Sequence, residues 1–138
     1  MYRCINVLIM LIIATYPANA EKNTAVVRLS INTFTSVDID AALIEKLTSV
    51  LYRELVVLRG DEYVLYRKKG GLDKSANRQL AGSVEKIDSV YYITVKVLDG
   101  ERGEHLFNRT CTADRDNLEK TLKRIAKDIH RVNRIWKR

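Results

Sequence analysis

The most constraining feature of the sequence is the regular alternation of side chains over residues 90–98. In an extended strand one face would carry Tyr91, Ile93, Val95 and Val97, and the other Tyr92, Thr94 and Lys96. Strands are also predicted over 79–87 and 105–112, with short turns at 88–89 and 99–103 between the three. Connections this short join antiparallel neighbours, so residues 79–112 predict a three-stranded meander.

A strand–helix–strand unit precedes the meander. Strands are predicted over 25–31 and 62–66, and a helix over 38–58 that Asp38 would cap and Gly60 would end. Its apolar stripe consists of Leu43, Leu47, Val50, Leu51, Leu55 and Leu58, interrupted by Glu54. A unit of this length favours a right-handed crossover between parallel strands. Residues 67–77 are predicted to form a loop.

A second amphipathic helix, capped by Asp114, is predicted for the last part of the chain. Its apolar stripe consists of Leu118, Leu122, Ile125, Ile129, Val132 and Trp136. The predicted fold class is therefore α/β (α+β): an approximately five-stranded mixed sheet, two helices packed on one face, and the order β-α-β-β-β-β-α. No repeat or linker divides residues 21–138, which are predicted to form a single domain.

The first twenty residues have the three parts of a signal peptide. Arg3 gives a positive start, residues 7–14 are apolar, and Ala18 and Ala20 form a small-x-small cleavage site after Pro17. Eight apolar residues are far fewer than the roughly 20 of a transmembrane helix. The alternatives are a buried N-terminal helix or an uncleaved anchor. We expect a periplasmic or secreted protein, cleaved near Ala20 and without a transmembrane span.

Cysteine usage is compatible with export. Cys4 lies in the predicted signal peptide, so Cys111 is the one cysteine of residues 21–138 and cannot form an internal disulfide. Cys4 also precedes the apolar run, where it cannot be the acylated cysteine of a bacterial lipoprotein. The fold is therefore predicted to be held together by packing alone.

The chain is basic, and its charge is concentrated near the C-terminus. The formal net charge is +7, of which the predicted signal peptide carries only Arg3. Residues 115–138 hold nine Lys or Arg and three acidic residues. Such a surface can attract anionic lipid, an acidic protein or nucleic acid, or can simply be a solvated helix face. Export makes nucleic acid an unexpected partner.

Few residues could support catalysis. The histidines are His105 and His130, which is too few for a zinc site without a cysteine pair. Cys111 lies within a predicted strand, where a small packed thiol is favoured over a nucleophile paired with a histidine. Lys69 is followed by two glycines but lacks the longer glycine frame of a phosphate loop. We therefore expect no enzyme activity, no cofactor and no metal.

Partner binding is the remaining use for the basic and aromatic surface residues. Three groups are candidates: the loop cations, the outward face of the central strand, and the basic helix. The candidate partner-binding residues are Arg67, Lys68, Lys69, Tyr92, Lys96, Lys123, Arg124, Lys127, Arg131 and Arg134.

Residues 24–132 resemble a group of bacterial envelope proteins. The matching pieces are a Leu-rich helix with Tyr52-Arg53-Glu54-Leu55, the strand Leu80-Ala81-Gly82-Ser83-Val84, and a hairpin from Tyr91 to Asp99 that returns after Gly103-Glu104. The group contains the periplasmic α/β domain of the curli secretion component CsgG, the amino-terminal domain of the Tol–Pal propeller protein TolB, and lipoprotein activators of penicillin-binding proteins.

The resemblance implies a non-catalytic protein-interaction module in envelope assembly or secretion. Those proteins usually carry a helix between the second and third strands, where this chain has only residues 68–77. The lipid-anchor cysteine and the inserted pore hairpins are also missing, which favours a compact soluble adaptor. Two alternatives remain: a basic binder of an anionic envelope surface, either lipid headgroups or cell-wall polymer, and a secreted inhibitor or enzyme. A cystatin-like inhibitor would need a Gln-x-Val-x-Gly hairpin, which is absent.

Overall fold

The computed structural model describes residues 27–59, 63–68 and 75–137. The predicted signal peptide, the helix stop at Gly60 and the candidate Lys69 lie outside these ranges. The strands are β1(Arg28–Asn32), β2(Thr35–Ser36), β3(Val64–Lys68), β4(Arg78–Ile87), β5(Val90–Asp99) and β6(His105–Ala113). The helices are α1(Ala41–Arg59), α2(Leu118–Arg131) and the single turn α3(Asn133–Trp136), with a 3₁₀ turn at Arg115–Asn117.

The strands form one mixed sheet in the order β3-β1-β4-β5-β6, with β2 paired to β4. Strand β1 is parallel to both β3 and β4, while β4, β5 and β6 form an antiparallel meander. The predicted α/β class, the parallel crossover and the meander are therefore confirmed. The sixth strand, β2, is a two-residue segment between β1 and α1 that was not predicted.

The core lies on one face of the sheet, beneath α1 and α2. The alternation predicted for β5 is confirmed, because Tyr91, Ile93, Val95 and Val97 are each at most 4% exposed. They join Leu29, Ile31 and Leu80 from the neighbouring strands and the apolar stripes of both helices in one cluster. The opposite face, which carries Tyr92, Thr94 and Lys96, is polar and is called the open face below.

Two predicted boundaries in the first half of the chain are wrong. Asp38 does not cap α1: its φ is 60°, and the helix begins at Ala41. Asp40 is the cap, because its Oδ1 accepts the Ala42 N–H at 3.2 Å. Strand β3 also extends to Lys68, so Arg67 and Lys68 belong to the sheet and not to a loop.

The last helix is shorter than its apolar stripe predicted. Helix α2 ends at Arg131, Val132 is extended, and α3 follows as a separate turn. Tertiary hydrogen bonds hold this turn in place: Arg78 Nε donates to the Ile135 carbonyl and Trp136 Nε1 donates to the Ile129 carbonyl, both at 3.0 Å. At its start, the Asp114 carboxylate accepts the Asn117 N–H at 3.0 Å, so Asp114 caps the 3₁₀ turn that leads into α2.

Within the described residues, no helix combines the length and the apolar character that crossing a membrane requires.

Candidate functional site

A groove of about 770 Å³ lies where the end of β6 meets the first half of α2. We call it the basic groove, because four of its lining residues are cations. Its lining consists of Val90, Thr112, Ala113, Asp114, Asn117, Lys120, Thr121, Lys123, Arg124 and Lys127. The short connection from β6 to α2 makes the helix return along the strand, and this turn creates the concave surface.

The electrostatic balance of the basic groove is strongly positive. Of the described residues that line it, Asp114 alone is acidic, and its Oδ1 accepts hydrogen bonds from the backbone and the side-chain amide of Asn117. Lys123 lies 4.0 Å from Glu54, at the outer limit of an ion pair. Within the part of the chain that the structure describes, Lys120, Arg124 and Lys127 form no ion pair. Their charges are therefore available to a ligand.

Asp128, an acidic residue in the second half of α2, is paired with a cation of β6. Its carboxylate accepts a hydrogen bond from the Arg109 guanidinium of β6. This pair joins the middle of β6 to the second half of α2. Arg124 and Arg131 lie four residues before and three residues after Asp128, so they share its flank of the helix. Both are exposed.

The ten residues predicted to bind a partner do not form a single site. Lys123, Arg124 and Lys127 line the basic groove, and Arg131 continues along the same helix. Arg134 lies beyond the end of α2, 4.0 Å from Glu104. Tyr92 and Lys96 lie on the open face, on the other side of the sheet from α2. Lys68 lies at the end of β3, and Lys69 is not among the described residues.

Arg67 has a structural role that the loop prediction could not indicate. The register places it on the helix side of the sheet, opposite Ile31. Its Nη1 donates to Glu45 Oε1 and to Ser49 Oγ, each at 2.8 Å, so it ties β3 to α1. Only 23% of its side chain is exposed, and its guanidinium already has partners within the fold.

Lys120 was the residue that the sequence-based candidates omitted. It lies one helical turn before Arg124, and this spacing places both cations on the same side of α2. The i, i+4, i+7 pattern of Lys120, Arg124 and Lys127 was therefore a usable signal. The groove itself could not be predicted, because it depends on how α2 lies against β6.

The charges of this arrangement suit the binding of anions. Among the described residues that line the basic groove there is no histidine or cysteine, and the charged ones are mainly cations. In residues 27–59, 63–68 and 75–137, no group of three or more His, Cys, Asp or Glu is placed to hold a metal ion. Cys111 is half-buried and packs against the core, beneath the helices.

Comparison with solved structures shows the same fold in several bacterial proteins. The match to TolB from Acinetobacter baumannii has a TM-score of 0.60 and 10% identity, and it covers 78% of this chain but only 28% of TolB. The match to a PelC dodecamer from Paraburkholderia phytofirmans has a TM-score of 0.54 and 17% identity, and it covers 76% of this chain and 86% of PelC.

A hypothetical protein from Chlamydia trachomatis matches with a TM-score of 0.51 and 11% identity, over 79% of this chain and 98% of that protein. No family model and no curated protein matches the sequence. At these identities, the likenesses show a shared fold. TolB is also one of the proteins named in the sequence resemblance, so that part of the resemblance is supported at the level of fold.

Proposed function

We propose that this chain is an exported, non-catalytic module of the bacterial cell envelope that binds an acidic protein partner through the basic groove. The observation that carries the proposal is the set of unpaired cations, Lys120, Arg124 and Lys127, around a concave surface. A convergent positive site of this kind favours a negatively charged ligand.

The envelope assignment has two supports. Residues 1–20 have the pattern of a cleavable signal peptide, and the domain shares its fold with part of TolB. The non-catalytic assignment is supported by the composition of the basic groove, which offers cations but no nucleophile beside a general base. Binding through the basic groove and export are tested by separate experiments.

Site-specific photo-crosslinking in the source cells tests the proposal. A photoreactive residue at Lys127 should give a protein adduct of discrete mass, and the additional change Arg124→Glu should abolish it. The control is the same photoreactive residue at Val57, which is 78% exposed on α1 and outside the basic groove. Equal adducts at both positions, or no protein adduct at Lys127, would contradict binding through the groove.

N-terminal sequencing of the same product tests export. A mature chain that begins near Glu21 in the envelope fraction is the expected result. A cytoplasmic product that retains Met1 would overturn the envelope assignment, whatever the cross-linking result.

The second candidate is a binder of an anionic envelope surface, either lipid headgroups or cell-wall polymer, through the same cations. Each exposed Lys or Arg near an anionic membrane contributes about 1 kcal/mol. Flotation with vesicles that contain phosphatidylglycerol distinguishes this candidate. Strong binding that is lost in high salt, together with lipid adducts at Lys127, would favour it over a protein partner.

A further inference from the structure

Strand β6 is an open edge of the sheet beside the basic groove. It is nine residues long and lies last in the strand order, with β5 as its one strand partner among the described residues. Sheet edges present unpaired backbone N–H and C=O groups, and proteins usually block them with short strands, lysines or prolines. Strand β6 has no lysine and no proline. The cation of Arg109 is engaged in an ion pair with Asp128.

A row of cations on α2 runs along this edge, because the helix begins just after β6 ends and returns beside the strand. The Arg109–Asp128 pair fixes the helix over β6, and the row consists of Lys120, Arg124, Lys127 and Arg131. Eleven helical steps of 1.5 Å give the row a length of about 16.5 Å. An extended chain rises about 3.3 Å per residue, so the row matches about five residues of a strand laid beside β6.

The spacing of the charges also matches an extended segment. Neighbours in the row are separated by three or four residues, which is about 4.5–6 Å along the helix axis. Side chains on one face of a strand recur every two residues, or about 6.6 Å. Acidic residues at alternate positions of an added strand could therefore each approach one cation of the row.

The same charges oppose pairing with a second copy of this chain. Antiparallel association of two β6 strands would place two rows of cations at the same interface, and like charges at an interface are unfavourable. Charge complementarity instead favours a partner with acidic side chains.

We propose that an acidic, extended segment of the partner adds to the sheet as a strand beside β6, with its alternate carboxylates on the cation row of α2. This inference rests on the proposed function and specifies how the partner binds. The backbone ladder would supply affinity, and the alternation of acidic residues would supply specificity.

Peptide binding to the purified protein tests the inference. The probe is a fluorescent peptide of about eight residues in which glutamate alternates with threonine, and the composition control has its glutamates in one block. Two further peptides carry N-methyl groups on alternate residues, one in each of the two phases. Because a strand presents alternate amides to opposite edges, only one of these two should be blocked from pairing with β6.

We expect the alternating peptide to bind about tenfold more tightly than the block peptide, and only one N-methylated phase to lose binding. The double change Arg124→Glu with Lys127→Glu should weaken binding by tenfold or more. Arg53→Glu, the same type of charge change at an exposed position of α1, should leave affinity within about twofold. Binding of the alternating peptide should also weaken with added salt.

The contrary outcomes separate the two proposals. Equal binding of both N-methylated phases would overturn strand addition and leave the basic groove as an electrostatic site. Binding that ignores the Arg124 and Lys127 changes would overturn the groove and the proposed function together. Sedimentation that shows a dimer with protected β6 amides would overturn the acidic segment in favour of a second copy of this chain. Tighter binding to phosphatidylglycerol vesicles than to the peptide would overturn it in favour of an anionic lipid surface.

Discussion

The Phe34 ring occupies the space that a side chain on Gly82 would need. A Cβ atom placed on Gly82 would lie 2.5 Å from Cδ1 and Cε1 of Phe34, which is only 3% exposed. Glycine in the interior of a strand is normally unfavourable, and it often marks the close approach of another group. The glycine of the Gly-Ser-Val strand that the sequence resemblance singled out therefore has a packing explanation in this chain.

Gly82→Ala should destabilise the protein, because the added methyl group must displace the Phe34 ring. Overpacking of this kind costs about 1–3 kcal/mol. Urea unfolding followed by circular dichroism measures the change in the free energy of unfolding.

The Phe34→Leu background provides the control for the Gly82 prediction. A smaller side chain leaves room for the methyl group, so the cost of Gly82→Ala should fall to less than half. Equal costs in the two backgrounds would show that the ring does not explain the glycine.

Thr48 joins α1 to the segment that leads into β2. Its hydroxyl accepts the Phe34 N–H at 3.1 Å and donates to the Ile44 carbonyl at 2.9 Å, and the residue is fully buried. Thr48→Val should leave the Phe34 N–H without an acceptor and cost about 1–3 kcal/mol. Thr48→Ser keeps the hydroxyl and should cost about 0.8 kcal/mol for the lost methyl group. A valine variant at least as stable as the serine variant would refute this role.

Arg78 anchors the C-terminal turn α3. The residue is 6% exposed, and its guanidinium donates to the carbonyls of Ile135 and Lys137 at 3.0 Å while lying 3.5 Å from the Asp99 carboxylate. Arg78→Met should cost about 3 kcal/mol, because it removes the donor from two carbonyls and the neighbouring positive charge from the Asp99 carboxylate.

Fluorescence of Trp136, the single tryptophan, reports whether α3 detaches. We expect a red shift in the Arg78→Met protein at urea concentrations where the sheet is still folded. Arg78→Lys keeps the charge but cannot donate to both carbonyls in the planar geometry of a guanidinium. Its red shift should therefore be intermediate between those of the wild-type and Arg78→Met proteins. Coincident loss of tryptophan and circular dichroism signals in Arg78→Met would argue against a locally anchored turn.

Asp99 should make stability depend on pH. Hydrogen bonds from the backbone N–H groups of Glu101 and Arg102, together with the nearby Arg78 charge, hold the pKa of Asp99 below its ordinary value of 3.8. A lowered folded-state pKa contributes stability that is present above pH 3.8 and is lost as the pH falls through the folded-state pKa. Asp99→Asn should remove this contribution.

Urea unfolding between about pH 2 and pH 7 measures the effect of Asp99. The free energy of unfolding of the wild-type protein should exceed that of Asp99→Asn near neutral pH, and the difference should shrink below pH 3.8. Asp116→Asn makes the same change in net charge at an exposed position. A difference that stays constant over the acid range would contradict the assignment to the Asp99 carboxylate.

Local patterns predicted the sheet well, because alternation and short turns act over neighbouring residues. They predicted β5 within one residue and the parallel pairing of β1 and β3. The patterns failed where distant groups decide the structure. The apolar stripe continues past Val132, but the residues after it form a separate turn. Hydrogen bonds from Arg78 to the Ile135 carbonyl and from the Trp136 indole to the Ile129 carbonyl hold that turn in place.

The candidate site was predictable only in part, for the same reason. The cations of α2 stood out by composition, so Arg124 and Lys127 were identified before their surroundings were known. Sequence spacing could not show that β6 lies open beside them. It also could not show that Arg67 is occupied by Glu45 and Ser49, because those residues are 18 or more positions away.

The placement of β1 has a consequence for how the sheet assembles. This strand joins β3 to β4, yet it is synthesised before either of them. The backbone groups on both its edges therefore stay unpaired until later residues have been made. The hairpins of β4, β5 and β6 are local in sequence and should form first, and β1 should then pair with β4 and allow β3 to join the sheet. A chain shortened beyond Asn32 would therefore lose the link between the two halves of the sheet, and β3 would be left without the strand it pairs with.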